Sequence, residues 1–137
     1  MSDLIQYLNP PTLARPNGFS HLTEAAVDRL VFISGQVSYD PDGNIVGAGD
    51  LAAQTRQVFI NLGLALEAAG TAFDHVVKLN FFVRSISESA VATIRQVRKD
   101  FLIDTALPAS TMVGVAGLAK EALLLEVEAY ALKKRAA

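Results

Sequence analysis

Residues 107–131 constrain the fold more than any other part of the sequence. Pro108 prevents a helix from continuing into this segment, and a short alternating strand runs through Gly114. After a linker, apolar residues occupy every second position from Leu123 to Ala131. Two strands this close together at the end of the chain require partner strands upstream, so the segment predicts a β-sheet that earlier residues complete.

Two upstream segments supply these partners. Residues 30–33 form a continuous apolar run, which is typical of a strand buried on both faces. Residues 76–84 alternate in the manner of a half-buried strand, whose apolar face we expect to carry Val77, Leu79, Phe81 and Val83. Residues 1–28 are expected to be irregular with short extended pieces, because three prolines limit regular structure there.

Two amphipathic helices are also predicted. Asp50 is the expected N-cap of the first and Gly70 the residue that ends it, while Ser87 is the expected N-cap of the second. The apolar face of the first helix consists of Leu51, Thr55, Val58, Leu62, Leu66 and Ala69. That of the second consists of Val91, Ile94, Val97 and Phe101.

This order of elements predicts an α+β fold in one domain, residues 1–137, with a mixed sheet and both helices on one face. The face away from the helices is not uniformly polar, because Phe82, Met112, Leu124 and Tyr130 fall on it by alternation. An apolar face of this kind is usually covered by a partner, and a symmetric homo-oligomer is the simplest one.

Composition excludes several classes of function. The formal charge of −2 gives no electrostatic attraction to nucleic acid or to acidic membranes, and no apolar stretch is long enough to span a bilayer. The sequence has no cysteine and only two histidines, His21 and His75, so no metal site is expected. We expect both histidines at the surface or in loops. The lack of cysteine and of a signal-peptide pattern favours the cytoplasm.

Four segments together resemble the RidA (YjgF) family of imine and enamine deaminases. They are VFISGQ at 31–36, the helix 50–70 with its AQTRQV motif, VVKLNFFV at 76–83, and the C-terminal block with Pro108-Ala109 and Glu126-Val127-Glu128. The resemblance implies a chorismate-mutase-like fold and homotrimers with a β-barrel-like core and clefts between subunits. It also implies hydrolysis of 2-aminoacrylate and related imines to 2-keto acids and ammonia without a cofactor.

The resemblance assigns site residues one by one. Glu126 matches the glutamate that positions the attacking water, and Ser34 and Gly35 match the strand end that lines the cleft. Three positions depart from the family pattern: Phe19 stands at a tyrosine, Ile94 near an asparagine, and Ser110 at the arginine that holds the substrate carboxylate. Thr111 follows Ser110 as a further hydroxyl for ligand binding. Outside this set, Arg56, Arg95 and Arg98 are expected as surface charges of the helices.

Two functions fit these residues. One is a homotrimer that binds a small metabolite and has lost 2-aminoacrylate deaminase activity, because Ser110 carries no charge. The other is a divergent imine or enamine deaminase that acts on a different substrate and uses Glu126. Glu126 can also be read as an ordinary solvated strand residue. The endoribonuclease label attached to the family is disfavoured, since no basic surface with interleaved aromatic residues is present to bind RNA.

Overall fold

A mixed four-stranded sheet organises the fold in the computed structural model, which describes residues 4–26 and 28–133. The elements in chain order are β1 (Ile5–Leu8), β2 (Leu22–Ala25), β3 (Leu30–Gln36), α1 (Leu51–Ala68), a 3₁₀ turn (Phe73–His75), β4 (Val76–Arg84), α2 (Glu88–Arg98), β5 (Ala109–Val115) and β6 (Leu125–Leu132). The main sheet has the order β3-β6-β4-β5, and β1 pairs with β2 in a separate two-stranded sheet.

Strand β6 is antiparallel to both of its neighbours, β3 and β4, whereas β5 runs parallel to β4. The parallel pair is possible because α2 carries the chain back across the sheet between them. The predicted α+β class and mixed sheet with two helices are therefore confirmed. We call the sheet face that carries the helices the inner face, and the opposite one the outer face.

The helix ends follow the predicted capping chemistry. The Asp50 carboxylate accepts a hydrogen bond from the Ala53 amide at 3.0 Å, and the Ser87 hydroxyl accepts one from the Ala90 amide at 3.0 Å. Gly70 follows the end of α1 with φ of 79°, a conformation that only glycine adopts without strain. These capping contacts fix where each helix starts relative to the sheet. In the described residues, no helix is long and apolar enough to cross a membrane.

The hydrophobic core lies between α1, α2 and the inner face. Phe59 is at its centre, with ring centroids 5.3 Å from Phe101, 5.9 Å from Phe73 and 6.1 Å from Phe81. Buried Gln54 ties α1 to the segment before β6, because its amide donates to the Ala122 carbonyl at 2.8 Å and accepts from the Leu124 amide at 2.9 Å. Phe59 and Gln54 both lie outside the apolar face predicted for this helix.

Three strand predictions are wrong in detail. The alternation in β4 shifts at an irregularity between Val76 and Lys78, so Val76 is buried and Val77 only half-buried. Strand β3 is not buried on both faces within one chain, because Phe32 on the outer face is 70% exposed. Met112 pairs in register with Phe81 and packs against the core, which places it on the inner face and not on the outer one.

Candidate functional site

A cavity of about 270 Å³ lies on the inner face of β5, at the edge of the sheet and beside α2. It brings together two of the predicted site residues, Phe19 and Ser110. Phe19 reaches the cavity because the loop that carries it is held against the start of β5. The amide of the next residue, Ser20, donates a hydrogen bond of 3.0 Å to the Pro108 carbonyl. The full lining is Phe19, Ile86, Val91, Arg95, Arg98, Ser110 and Met112.

Strand alternation separates Ser110 from Thr111. Ser110 pairs in register with the buried Leu79, so its side chain lies on the inner face, while Thr111 pairs with Asn80 and lies on the outer face. The Thr111 hydroxyl accepts a hydrogen bond from Lys78 Nζ at 2.7 Å. The structure therefore does not bring the two predicted hydroxyls to one pocket within a chain.

Ile94 does not contribute surface to this cavity. Its side chain has 0% exposure and belongs to the hydrophobic core. The residues of α2 that line the cavity are its helical neighbours Val91 and Arg95, together with Arg98. The apolar face predicted for this helix includes Ile94, and its burial leaves the side chain no surface for the ligand contact that the resemblance assigned to it.

Arg98 is the largest departure from the sequence analysis, which placed it on the helix surface. It is only 5% exposed, and its guanidinium lies over the Phe81 ring, 5.6 Å from the ring centroid. Burial, and secondarily the positive charge of Arg95, lower the pKa of Arg98 to about 10. The buried cation has one weak hydrogen bond, from Nη2 to the Asn17 carbonyl at 3.5 Å.

The helical spacing contains a signal for this burial. Ile94, Val97, Arg98 and Phe101 stand at positions i, i+3, i+4 and i+7, which is the pattern of one helix face. The arginine occupies the third of those four positions, and only its charge argued for the surface. Arg56, by contrast, is exposed as predicted and pairs with Asp100 at 2.8 Å.

Arg95 stands one turn before Arg98 and is half-buried. Its Nε atom is buried and has no hydrogen-bond partner among the described residues. Neither Arg95 nor Arg98 takes part in an ion pair within residues 4–26 and 28–133. Two cations thus face one cavity whose lining contains no carboxylate.

The other predicted site residues, Ser34, Gly35 and Glu126, form a second group at β3 and β6. The pairing of these strands is irregular between Ile33 and Gln36, and there the Glu126 carboxylate lies directly against Gly35. A methyl group at residue 35 would overlap that carboxylate, so glycine is required for this close approach. Ser34 beside it is exposed.

Glu128, two residues further along β6, is held by other side chains. Its carboxylate accepts hydrogen bonds from Asn80 at 2.8 Å and from the Tyr130 hydroxyl at 3.3 Å. The negative charge of Glu128, together with this hydrogen bond, raises the pKa of Tyr130. In the described part of the chain the Glu126 carboxylate has no such partner, which leaves it free to hold a ligand or water.

These two groups lie on opposite faces of the sheet. Glu126 pairs in register with Phe82 on the outer face, and Ser110 pairs with Leu79 on the inner face. A single chain therefore presents Ser110 and Glu126 in opposite directions. A single site that contains both groups would have to be completed by a second copy.

The histidines occupy different environments. His21 packs its ring edge-to-face against Phe19, with centroids 5.3 Å apart. His75 is the last residue of the 3₁₀ turn and is buried, with a contact of 2.8 Å to the Asp74 carboxylate. The prediction of a surface or loop position for His75 is therefore wrong, because its side chain is not exposed. No group of three potential metal-binding side chains comes together in the ranges 4–26 and 28–133.

Comparisons with known proteins match nearly the whole chain. The sequence profile of the Endoribonuclease L-PSP family matches residues 12–133. Human 2-iminobutanoate/2-iminopropanoate deaminase is 31% identical over 134 residues, covering 97% of this chain and 94% of the human protein. Yersinia pestis YyfB, a protein of unknown function of the conserved Rid family, superposes with a TM-score of 0.89 and 37% identity, over 93% and 98% of the two chains. RidA from the Antarctic bacterium Psychrobacter sp. gives a TM-score of 0.68 and 31% identity, over 87% and 91%.

Proposed function

The chain belongs to the RidA (YjgF) family, also described as Endoribonuclease L-PSP, and on that premise we propose that it is a homotrimer that binds a small metabolite in clefts between subunits. Each cleft combines the cavity beside Ser110 in one copy with the group Ser34, Gly35 and Glu126 in its neighbour. No cofactor takes part. The cytoplasm is the expected compartment, because the sequence has no cysteine.

The observation that carries this proposal is the placement of Ser110 and Glu126 on opposite faces of one sheet. Each group by itself is an incomplete site, one with cations and no acid–base group, the other with a carboxylate and little enclosure. The exposed apolar surface supports an assembly that joins them, because Phe32 on the outer face is 70% exposed and packs edge-to-face on Tyr130.

The same geometry supports loss of 2-aminoacrylate deaminase activity. Ser110 stands on the strand where the family has the arginine for the substrate carboxylate, and a hydroxyl supplies no charge-assisted contact there. Such a contact is worth about 1.5–3 kcal/mol, so its loss weakens binding of the transition state by roughly ten- to a hundredfold. Phe19 removes a second polar contact on the same cavity wall.

A divergent imine or enamine deaminase is the second candidate. It is favoured by the two arginines beside Ser110 and by the similarity to a human protein that is named as a deaminase. In this reaction water adds to the carbon of the C=N bond, the nitrogen leaves as ammonia, and a 2-keto acid remains. Glu126 would orient the water, since its carboxylate has no other partner in the described residues.

An assay with two substrates decides between these candidates. Imines are generated in situ from alanine and from leucine by an amino-acid oxidase with catalase present, and ammonia release is followed against the uncatalysed rate. The binding candidate predicts no acceleration with either imine. The deaminase candidate predicts acceleration with at least one of them that is lost in Glu126→Gln and kept in Glu128→Gln, which alters the neighbouring carboxylate.

A further inference from the structure

The cavity beside Ser110 has an excess of positive charge that the fold does not use. Arg98 is buried with one weak hydrogen bond, and Arg95 has a buried Nε without an acceptor. Buried donors are almost always hydrogen-bonded in proteins, because leaving one unpaired after removal from water costs free energy. Burial, and secondarily the positive charge of Arg95 one turn away, lower the pKa of Arg98, and neither arginine has an ion pair within the described residues.

A bound anion would offset this charge. An oxyanion in the cavity would accept hydrogen bonds from the half-buried guanidinium of Arg95 and would lie in the positive potential of Arg98. A guanidinium presents pairs of parallel N–H groups, which match the two oxygens of a carboxylate. Within one chain, none of the seven residues that line the cavity carries a negative charge.

The remaining walls specify the rest of the ligand. Phe19, Ile86, Val91 and Met112 contribute apolar surface to the cavity beside the arginines. Its volume is about 270 Å³. That space is larger than a two- or three-carbon acid requires, and its apolar wall rewards a branched or aromatic substituent.

We infer that Arg95 is the residue that binds the acid group of the ligand, from α2 and not from the strand position of Ser110, and that the ligand is a carboxylic acid with a branched or aromatic apolar body. Arg98 provides the positive potential behind it. This deepens the proposed function, on which it rests for the kind of ligand.

Arg95 and not Arg98 makes the direct contact because of their exposure. Arg98 is 5% exposed and lies against the Phe81 ring, so a ligand reaches little of it. Arg95 is half-buried and lines the same cavity, and its side chain has no ion pair among the described residues. Substitution of Arg95 should also change the stability of the fold less than substitution of Arg98, so a change in binding can be attributed to the lost contact.

The test is titration calorimetry with three probes: 4-methyl-2-oxopentanoate, its uncharged amide, and pyruvate. For the parent protein we expect the branched acid to bind at least about tenfold more tightly than either the amide or pyruvate. In Arg95→Gln the preference of acid over amide should fall by roughly ten- to a hundredfold, with the amide affinity unchanged. Arg56→Gln removes an exposed arginine of α1 and serves as the control, with all three affinities as in the parent.

A second readout follows the proposed contact itself. The Arg95 Nε–H resonance in a ¹⁵N correlation spectrum, assigned by its absence in Arg95→Lys, should shift on addition of the acid and stay in place with the amide. Three results would overturn the inference: equal affinities for acid and amide in the parent, an undiminished acid preference in folded Arg95→Gln, or pyruvate as the tightest of the three probes.

The failure of this inference can be told apart from failure of the proposed function. Arg95-dependent acid binding by a protein that sediments as a monomer would support Arg95 as the acid-binding residue and refute the clefts between subunits. A trimer that needs Glu126 for ligand binding or hydrolysis, but shows no dependence on Arg95, would support the proposed function and refute the role of Arg95.

Discussion

Ser110 and Glu126 point to opposite faces of the same sheet, on two strands that are separated only by β4. Residues that face away from each other across a sheet cannot act on one small molecule within a chain. If they act together, the assembly of copies is part of the site and not only a source of stability. The outer face is then the surface whose alteration should be most informative.

Phe32→Asp tests whether that surface joins the copies. The parent protein is expected to sediment as a trimer at micromolar concentration, and the variant as a monomer. Loss of a buried phenylalanine contact costs about 1.5–3 kcal/mol per site, and the new carboxylate adds a desolvation penalty. Because Phe32 is 70% exposed in one chain, the circular dichroism spectrum of the fold should be unchanged.

The matched control is Leu64→Asp, which places the same charge at another exposed apolar residue, on α1, with 57% exposure. This variant should remain a trimer. If the parent is a stable monomer, or if both variants dissociate to the same extent, the outer face is not the interface.

Gly35→Ala should separate activity from stability. The added methyl group overlaps the Glu126 carboxylate, which is the flexible end of a side chain and can move aside. We therefore expect a change of less than about 1 kcal/mol in unfolding free energy but a loss of tenfold or more in ligand binding or hydrolysis. Denaturation in urea and calorimetry measure the two effects. Gly117→Ala, where no atom lies within 4 Å of the new methyl group, should alter neither.

Much of the fold followed from local sequence chemistry. Asp50, Ser87 and Gly70 set the helix ends correctly because capping depends on a few neighbouring atoms. The alternation in β4 failed at Val76 because the strand is irregular there, and such an irregularity depends on the partner strand. Phe59 was missed because the aromatic cluster around it draws its members from several elements.

The site was less predictable than the fold. The family resemblance named Phe19 and Ser110, which line one cavity, but it could not show that Arg95 and Arg98 of α2 line that cavity too. Arg98 was assigned to the surface because charged side chains are rarely buried without a partner. Its position four residues after Ile94, on the apolar face of α2, was the evidence to the contrary.

Ser110→Arg is expected to fail as a simple restoration of the family site. The new side chain would enter a cavity that already holds Arg95 and Arg98, so like charges would meet at close range. We expect lower stability, by about 1–3 kcal/mol, and no gain in pyruvate affinity. The double variant Ser110→Arg with Arg95→Gln relieves part of this repulsion and should bind pyruvate more tightly than either single variant. Equal or better pyruvate binding by Ser110→Arg alone would show that the arginines of α2 do not share its space.

Arg98→Met should stabilise the ligand-free protein. Burial, and secondarily the charge of Arg95, lower the pKa of Arg98 to about 10 in the folded chain, so the unfolded chain holds this proton more tightly and charging Arg98 disfavours folding. Each unit of such a shift corresponds to about 1.4 kcal/mol, and methionine keeps most of the packing against Phe81, so we expect a gain of about 1–3 kcal/mol.

The pH dependence of that gain identifies its cause. The cost of the buried charge is fully present below about pH 10 and decreases as the pH rises above that value, because Arg98 then begins to lose its proton in the folded state. Urea unfolding should therefore show a constant advantage of Arg98→Met between about pH 7 and about pH 9, and a smaller one at about pH 10.5. Arg56→Met, at an exposed arginine paired with Asp100, should change stability by no more than about 0.5 kcal/mol at each pH. A destabilised Arg98→Met would mean that the cation is already compensated in the native assembly, for example by a carboxylate of a neighbouring copy.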